Sequence, residues 1–184
     1  MKNFKVKNIN SESYWDTHQT AMDFGLRQQK YSDLAIGGFS IIELGCGLSP
    51  FLHKAPFQYK VGIDYSPKTI YEAQKLYPEV EYIIADCTNT PFPDKEFQVS
   101  VAGEVIEHLE DPTELINEMV RITKDRIIIS TPHLEFEDPE HLFEYDEKDL
   151  IKMLSPFGKV TCETIKSSRF KGRSYVFALC ELKK

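Results

Sequence analysis

The chain has 184 residues and a formal charge of −7, from 22 basic against 29 acidic side chains. That balance disfavours general nucleic-acid binding, and no apolar run reaches the length of a membrane span. A hydrophobic content of 41% with 12% aromatics describes one folded domain over residues 1–184, long enough to bury a substantial core. The start, Met1-Lys2-Asn3-Phe4-Lys5, lacks the apolar centre of a signal peptide. Cys46, Cys87, Cys162 and Cys180 show neither a CxxC pair nor zinc spacing, so a reduced, cytoplasmic protein is expected.

In chain order, a helical pattern over Tyr14–Ala35 comes first and predicts an N-terminal helical lid within residues 1–38. The remainder, 39–184, reads as the core. Strands are predicted at Phe39–Leu44, Lys60–Asp64, Val80–Ala85, Phe97–Ala102 and Arg126–Thr131, with helices at Pro67–Leu76, Pro112–Thr123 and Glu147–Leu154. Asp111-Pro112-Thr113-Glu114 opens its helix with a capping side chain, a proline in the first turn and an acid behind it. Val160–Lys166 and Ser174–Glu181 close the chain as an antiparallel hairpin. Strands alternating with helices imply an α/β architecture, a parallel sheet wrapped on both faces.

The chemistry begins at Ser40-Ile41-Ile42-Glu43-Leu44-Gly45-Cys46-Gly47. An apolar strand runs through an acid into two glycines one residue apart, a turn that lets backbone N–H groups approach a bulky ligand. Asp64, seventeen residues past Gly47, closes the next strand, where a carboxylate suits the two hydroxyls of a ribose. The continuation Leu48-Ser49-Pro50 lacks the third glycine of a dinucleotide site. Glu43 would also place negative charge where a pyrophosphate would lie. An acid there suits an amino-bearing, cationic ligand, which argues against NAD and for S-adenosylmethionine.

With those residues in view, the chain resembles the class I S-adenosylmethionine-dependent methyltransferases, in the group related to the ubiquinone-biosynthesis enzymes, over roughly residues 38 to 182. The carrying blocks are Glu43-Leu44-Gly45-Cys46-Gly47, Gly62-Ile63-Asp64-Tyr65-Ser66, Ala85-Asp86-Cys87, Pro91-Phe92-Pro93-Asp94-Lys95-Glu96-Phe97 and Glu104-Val105-Ile106-Glu107-His108-Leu109-Glu110-Asp111-Pro112. The resemblance implies a Rossmann-like fold with a seven-stranded, mostly parallel sheet, an antiparallel last strand and helices on both faces. It implies that Gly45, Cys46 and Gly47 pass under the methionine part of the cofactor, with Glu43 near its amino group. Asp64 would hold the ribose, Tyr65 the adenine face, and Asp86 and Cys87 the adenine edge, while Glu104 would border cofactor and substrate. One departure stands out: the family's Lys-Pro-Gly-Gly turn before the fifth strand is replaced by Arg121-Ile122-Thr123-Lys124-Asp125-Arg126, which predicts a changed loop remote from the chemistry.

The reaction expected is O-, N- or C-methylation of a small-molecule acceptor. Bases for removing an acceptor proton are sought among Glu104, Glu107, His108, His133 and His141, with Glu107, His108 and His141 foremost. Glu104, Glu107 and His108 would share one face if a helix began that early. With His141 they are similar to the small-RNA 3′-terminal ribose methyltransferases, in which two glutamates and two histidines hold a divalent ion, so metal-assisted RNA ribose methylation is the first alternative. A catalytically inactive cofactor-binding partner subunit is the second. Lys166, Arg169, Lys171 and Arg173, between the last two strands, form a basic rim that suits an anionic group on the acceptor.

Overall fold

The computed structural model describes residues 24–133, 141–169 and 172–183. Residues 1–23 of the expected N-terminal lid, and Lys171 of the expected basic rim, lie outside the described residues. Strands β1 (Ser40–Leu44), β2 (Tyr59–Asp64), β3 (Glu81–Ile84), β4 (Phe97–Gly103), β5 (Thr123–Pro132), β6 (Gly158–Lys166) and β7 (Ser174–Leu182) form one sheet in the order β3-β2-β1-β4-β5-β7-β6. β1 to β5 pair in parallel, whereas β7 runs antiparallel to both β5 and β6. β6 therefore points the same way as β5, and its carboxyl end joins the rim formed by the tips of β1 to β5. The strand order reverses direction between β1 and β4, which in an open α/β sheet opens a crevice at the carboxyl ends.

The central strands are buried on both faces because helices cover each side. Alternate residues divide cleanly: Ile41, Val99, Val101 and Ile128 face one cluster, while Ile42, Leu44, Ile127 and Ile129 face the other. The first face is closed by α1 (Phe24–Ala35), α2 (Phe51–Lys54) and α3 (Pro67–Leu76), and the second by α4 (Pro112–Ile122) and α5 (Glu147–Leu154). The helix starts follow local chemistry. Ser66 caps α3 ahead of Pro67, Asp111 caps α4 ahead of Pro112, and Asp146 with Asp149 forms a reciprocal capping box on α5. Among the described residues no helix is long and apolar enough to cross a membrane.

Two local expectations change. The altered turn before β5 is not a loop at all, since α4 ends at Ile122 and β5 starts at Thr123. Lys95 makes this possible: its ammonium donates to the carbonyls of Val120 and Thr123, both at 2.8 Å, and its N–H donates to Arg121 O at 2.8 Å. A cation thus satisfies helix-end carbonyls that a glycine turn would otherwise serve. Second, the residues after β4 do not begin an α-helix. Glu104 takes a left-handed backbone, φ 59°, and only Ile106–His108 coil, as a single 3₁₀ turn, so Glu104 leaves the face it was expected to share with Glu107 and His108.

Candidate functional site

The glycine turn is built around Asp64. Its carboxylate accepts the Gly47 N–H at 3.1 Å and the Ser66 N–H at 2.9 Å, which ties the β1 turn to the tip of β2. Gly45 (φ 67°) and Gly47 (φ 51°) both need the left-handed region, and a Cβ on Gly45 would lie 2.6 Å from Val105 Cγ2. The turn therefore demands glycine for conformation and for space alike. Cys46 uses its backbone inside the turn, its N–H donating to Ile63 O and its carbonyl accepting from Ser49, each at 2.9 Å. Its side chain packs into the core. Burial pushes the Cys46 thiol well up, and burial beside Asp86 raises that of Cys87 to about 12, which makes both poor nucleophiles.

Glu43 is 3% exposed, and its Oε2 has no hydrogen-bond partner among the described residues. Burial raises its carboxyl to about 8, against the pull of Ser49 and Arg27. A buried carboxylate oxygen left unserved is costly unless a ligand supplies a donor. Tyr65, 48% exposed, follows directly on the tip of β2. Asp86 is exposed past β3, and one of its oxygens accepts the Thr88 N–H and hydroxyl, each at 2.8 Å. That turn bond is the structural role of Asp86, beside any contact to an adenine.

Four residues of this region were not legible as site residues in the sequence. Arg27 of α1, 5% exposed, reaches Glu104 at 3.9 Å. One turn further on, the Tyr31 hydroxyl bonds Ser130 Oγ at 2.6 Å, and Ser130 donates to Glu104 at 3.4 Å. Tyr31 fits only because the last residue of β4 is glycine; a Cβ on Gly103 would meet its hydroxyl at 1.9 Å. Thr131 donates to Glu107 at 3.2 Å. The available signals were the Arg27/Tyr31 spacing of one helical turn and two hydroxyls ending an otherwise apolar strand.

Of the proposed bases, Glu107, His108 and His141 come together, with potential ligand atoms within 4.8 Å of one another. The two imidazole rings lie 5.0 Å apart, edge to face. Leu142 N–H donates to Glu107 O at 2.8 Å, fixing the segment that carries His141. Glu104 lies outside this group. Burial raises its carboxyl while Arg27, Ser130 and Arg173 pull it down. His133, whose N–H pairs with Ser174 O at 2.9 Å, is not among the three.

A strand order reversing at β1/β4, an antiparallel β7 and carboxylates at the β1 and β2 tips define a class I methyltransferase fold. The family model described as "Methyltransferase domain" matches residues 42–129. The norajmaline N-methyltransferase of Rauvolfia serpentina is 26% identical over 144 residues, 72% of this chain and 49% of that protein. A Mycolicibacterium smegmatis protein named as an S-adenosylmethionine-dependent methyltransferase is 26% identical over 83% of the chain and 62% of its own length. An S-adenosylmethionine-dependent methyltransferase structure from Thermotoga maritima superposes with a TM-score of 0.72 at 17% identity, covering 94% of each chain. A Haemonchus contortus phosphoethanolamine N-methyltransferase solved with S-adenosylhomocysteine gives 0.76 at 11%, covering 96% of this chain and 59% of that one. The chain has the fold of the class I S-adenosylmethionine-dependent methyltransferases and matches the methyltransferase domain model over residues 42–129. It spans about half to three-fifths of the curated relatives' length, and the narrower ubiquinone-biosynthesis group stays a resemblance.

The residues present fit that family's cofactor. Glu43 offers an unserved carboxylate oxygen for an ammonium, Arg27 beside it a cation for a carboxylate, and the Gly45 turn a surface with no side chain in the way.

Proposed function

We propose that this chain transfers the methyl group of S-adenosylmethionine to a small-molecule acceptor. The observation that carries the proposal is the pairing of Glu43, with its orphaned oxygen, and Asp64 at the tips of adjacent strands, joined by the Asp64–Gly47 bond. When bound, the cofactor supplies an activated methyl group on a sulfonium, so the protein's own task is alignment and proton removal. Glu43 and Arg27 would hold the amino-acid end and Asp64 the ribose, with Tyr65, Asp86 and Cys87 around the adenine. Glu104, between Arg27 and Ser130, borders the acceptor side, where Glu107, His108 and His141 are placed to take a proton. The basic residues after β6, of which Arg173 is near enough to Glu104 to stabilise its charge, favour an anionic group on the outer part of the acceptor.

Calorimetry with S-adenosylhomocysteine, followed by transfer of isotopically labelled methyl from S-adenosylmethionine into a small-molecule extract, tests this reading. Saturable binding and labelled small-molecule product are expected. A protein that binds the cofactor but labels nothing would favour the non-catalytic subunit, and absence of binding would remove the reading.

A further inference from the structure

The cofactor contacts leave Glu107 unexplained. It is 1% exposed, Thr131 serves one carboxylate oxygen, and the other, Oε1, has no hydrogen-bond partner among the described residues. Its neighbour Glu104 is turned toward Arg27 and Ser130 and adds a second negative charge nearby. The half-buried His108 and His141 complete the group on its outer side. A buried carboxylate with an unserved oxygen beside another acid is stabilised by a donor that also brings positive charge.

We propose that Glu107, with His108 and His141, receives the methyl acceptor as a protonated amine, so that the substrate is a primary or secondary amine entering as its ammonium ion. This rests on the methyltransferase reading and specifies its acceptor. A hydroxyl brings one hydrogen and no charge, whereas an ammonium brings several hydrogens and a charge to match the carboxylate. The spread of the three side chains, within 4.8 Å, accommodates it: hydrogen bonds of ~2.8 Å from one tetrahedral nitrogen separate their acceptors by about 4.6 Å. A divalent ion held at ~2.1 Å would also fit within that spread, and what favours the ammonium is that Glu104, the fourth ligand such a centre would take, is engaged with Arg27 and Ser130. The ammonium gives one proton to Glu107, from which the two imidazoles pass it to water. The freed nitrogen pair forms the new C–N bond as the C–S bond breaks, its electrons leaving on sulfur, and the product departs as the methylated ammonium.

The test is calorimetry on the full chain saturated with S-adenosylhomocysteine, titrated with propylammonium, benzylammonium and phenethylammonium chlorides and with the matching alcohols. Saturable binding of at least one ammonium is expected, at least tenfold tighter than its alcohol. Glu107→Gln should weaken that binding at least tenfold and leave S-adenosylhomocysteine affinity within threefold. If Glu107→Gln no longer binds S-adenosylhomocysteine and so is misfolded, His141→Gln takes its place, with at least a threefold loss expected. No ammonium binding, equal binding of alcohols, or indifference of the variants overturns the proposal. So does stoichiometric binding of Mn²⁺ or Zn²⁺ that displaces the ammonium. Failure of the wild-type chain to bind S-adenosylhomocysteine would instead remove the cofactor reading beneath it.

Discussion

Asp64 accepts two backbone N–H groups and sits 4% exposed, so its replacement acts on the turn and on the ligand together. Asp64→Ala should weaken S-adenosylhomocysteine binding by about 1 to 3 kcal/mol, measured by calorimetry, and Asp64→Asn by less, because one acceptor oxygen survives. At Gly45 the objection to a side chain is double: a left-handed backbone and a Cβ 2.6 Å from Val105. Gly45→Val should abolish cofactor binding and lower stability by about 1 to 3 kcal/mol, read from denaturant unfolding. Both residues stood out in the sequence because a glycine turn followed by a strand-ending acid is a local pattern with a known spacing. Arg27 did not, since an arginine on an amphipathic helix looks solvated until the fold sets it against Glu104, far along the chain.

Helices α3 and α5 match their sequence boundaries because their start signals are local: Ser66-Pro67 in one, Asp146 through Asp149 in the other. Asp146→Ala breaks both halves of the capping box and should cost about 1 kcal/mol, visible as a lowered denaturant midpoint with cofactor affinity unchanged. α2 escaped notice because four residues are too few to show a helical period. The α4 end was misjudged for a different reason. Its stabilising partners lie on another segment: Arg121 bonds Glu118 and the Phe92 carbonyl, and Glu118 accepts the Thr90 N–H at 2.7 Å and its hydroxyl at 2.5 Å. This network staples the β3–β4 connection to the helix, so a stretch that looked remote supports the loop that begins at Asp86.

Across the whole molecule, three carboxylates gather on the acceptor and methionine side of the crevice, and burial raises all of them: Glu43, Glu104 and Glu107. The sign follows directly. Between the ordinary carboxylate range and about 8, the folded apoprotein keeps a proton on Glu43 that the unfolded chain has lost, so this contribution to stability fades as pH rises through that window. A bound ammonium favours the ionised form, so S-adenosylhomocysteine binding near pH 6.5 should release a proton. Calorimetry in buffers of different ionisation enthalpy should detect that proton, and Glu43→Gln should abolish it. The sheet and its layers were readable from alternating apolar runs. The acidic side chains gathered at the acceptor side were readable only in part, because charge density depends on which strand tips become neighbours.

The seamless passage from Ile122 into Thr123 fixes the phase of everything downstream on that strand. An extra amino acid placed at the seam has no slack in which to bulge, and because strand side chains alternate, it would exchange the two sides of the sheet. Ser130 and Thr131 would trade orientations, taking one hydroxyl away from Tyr31 and Glu104 and the other from Glu107. A lesion far from the crevice would thus disarm both of its walls at once.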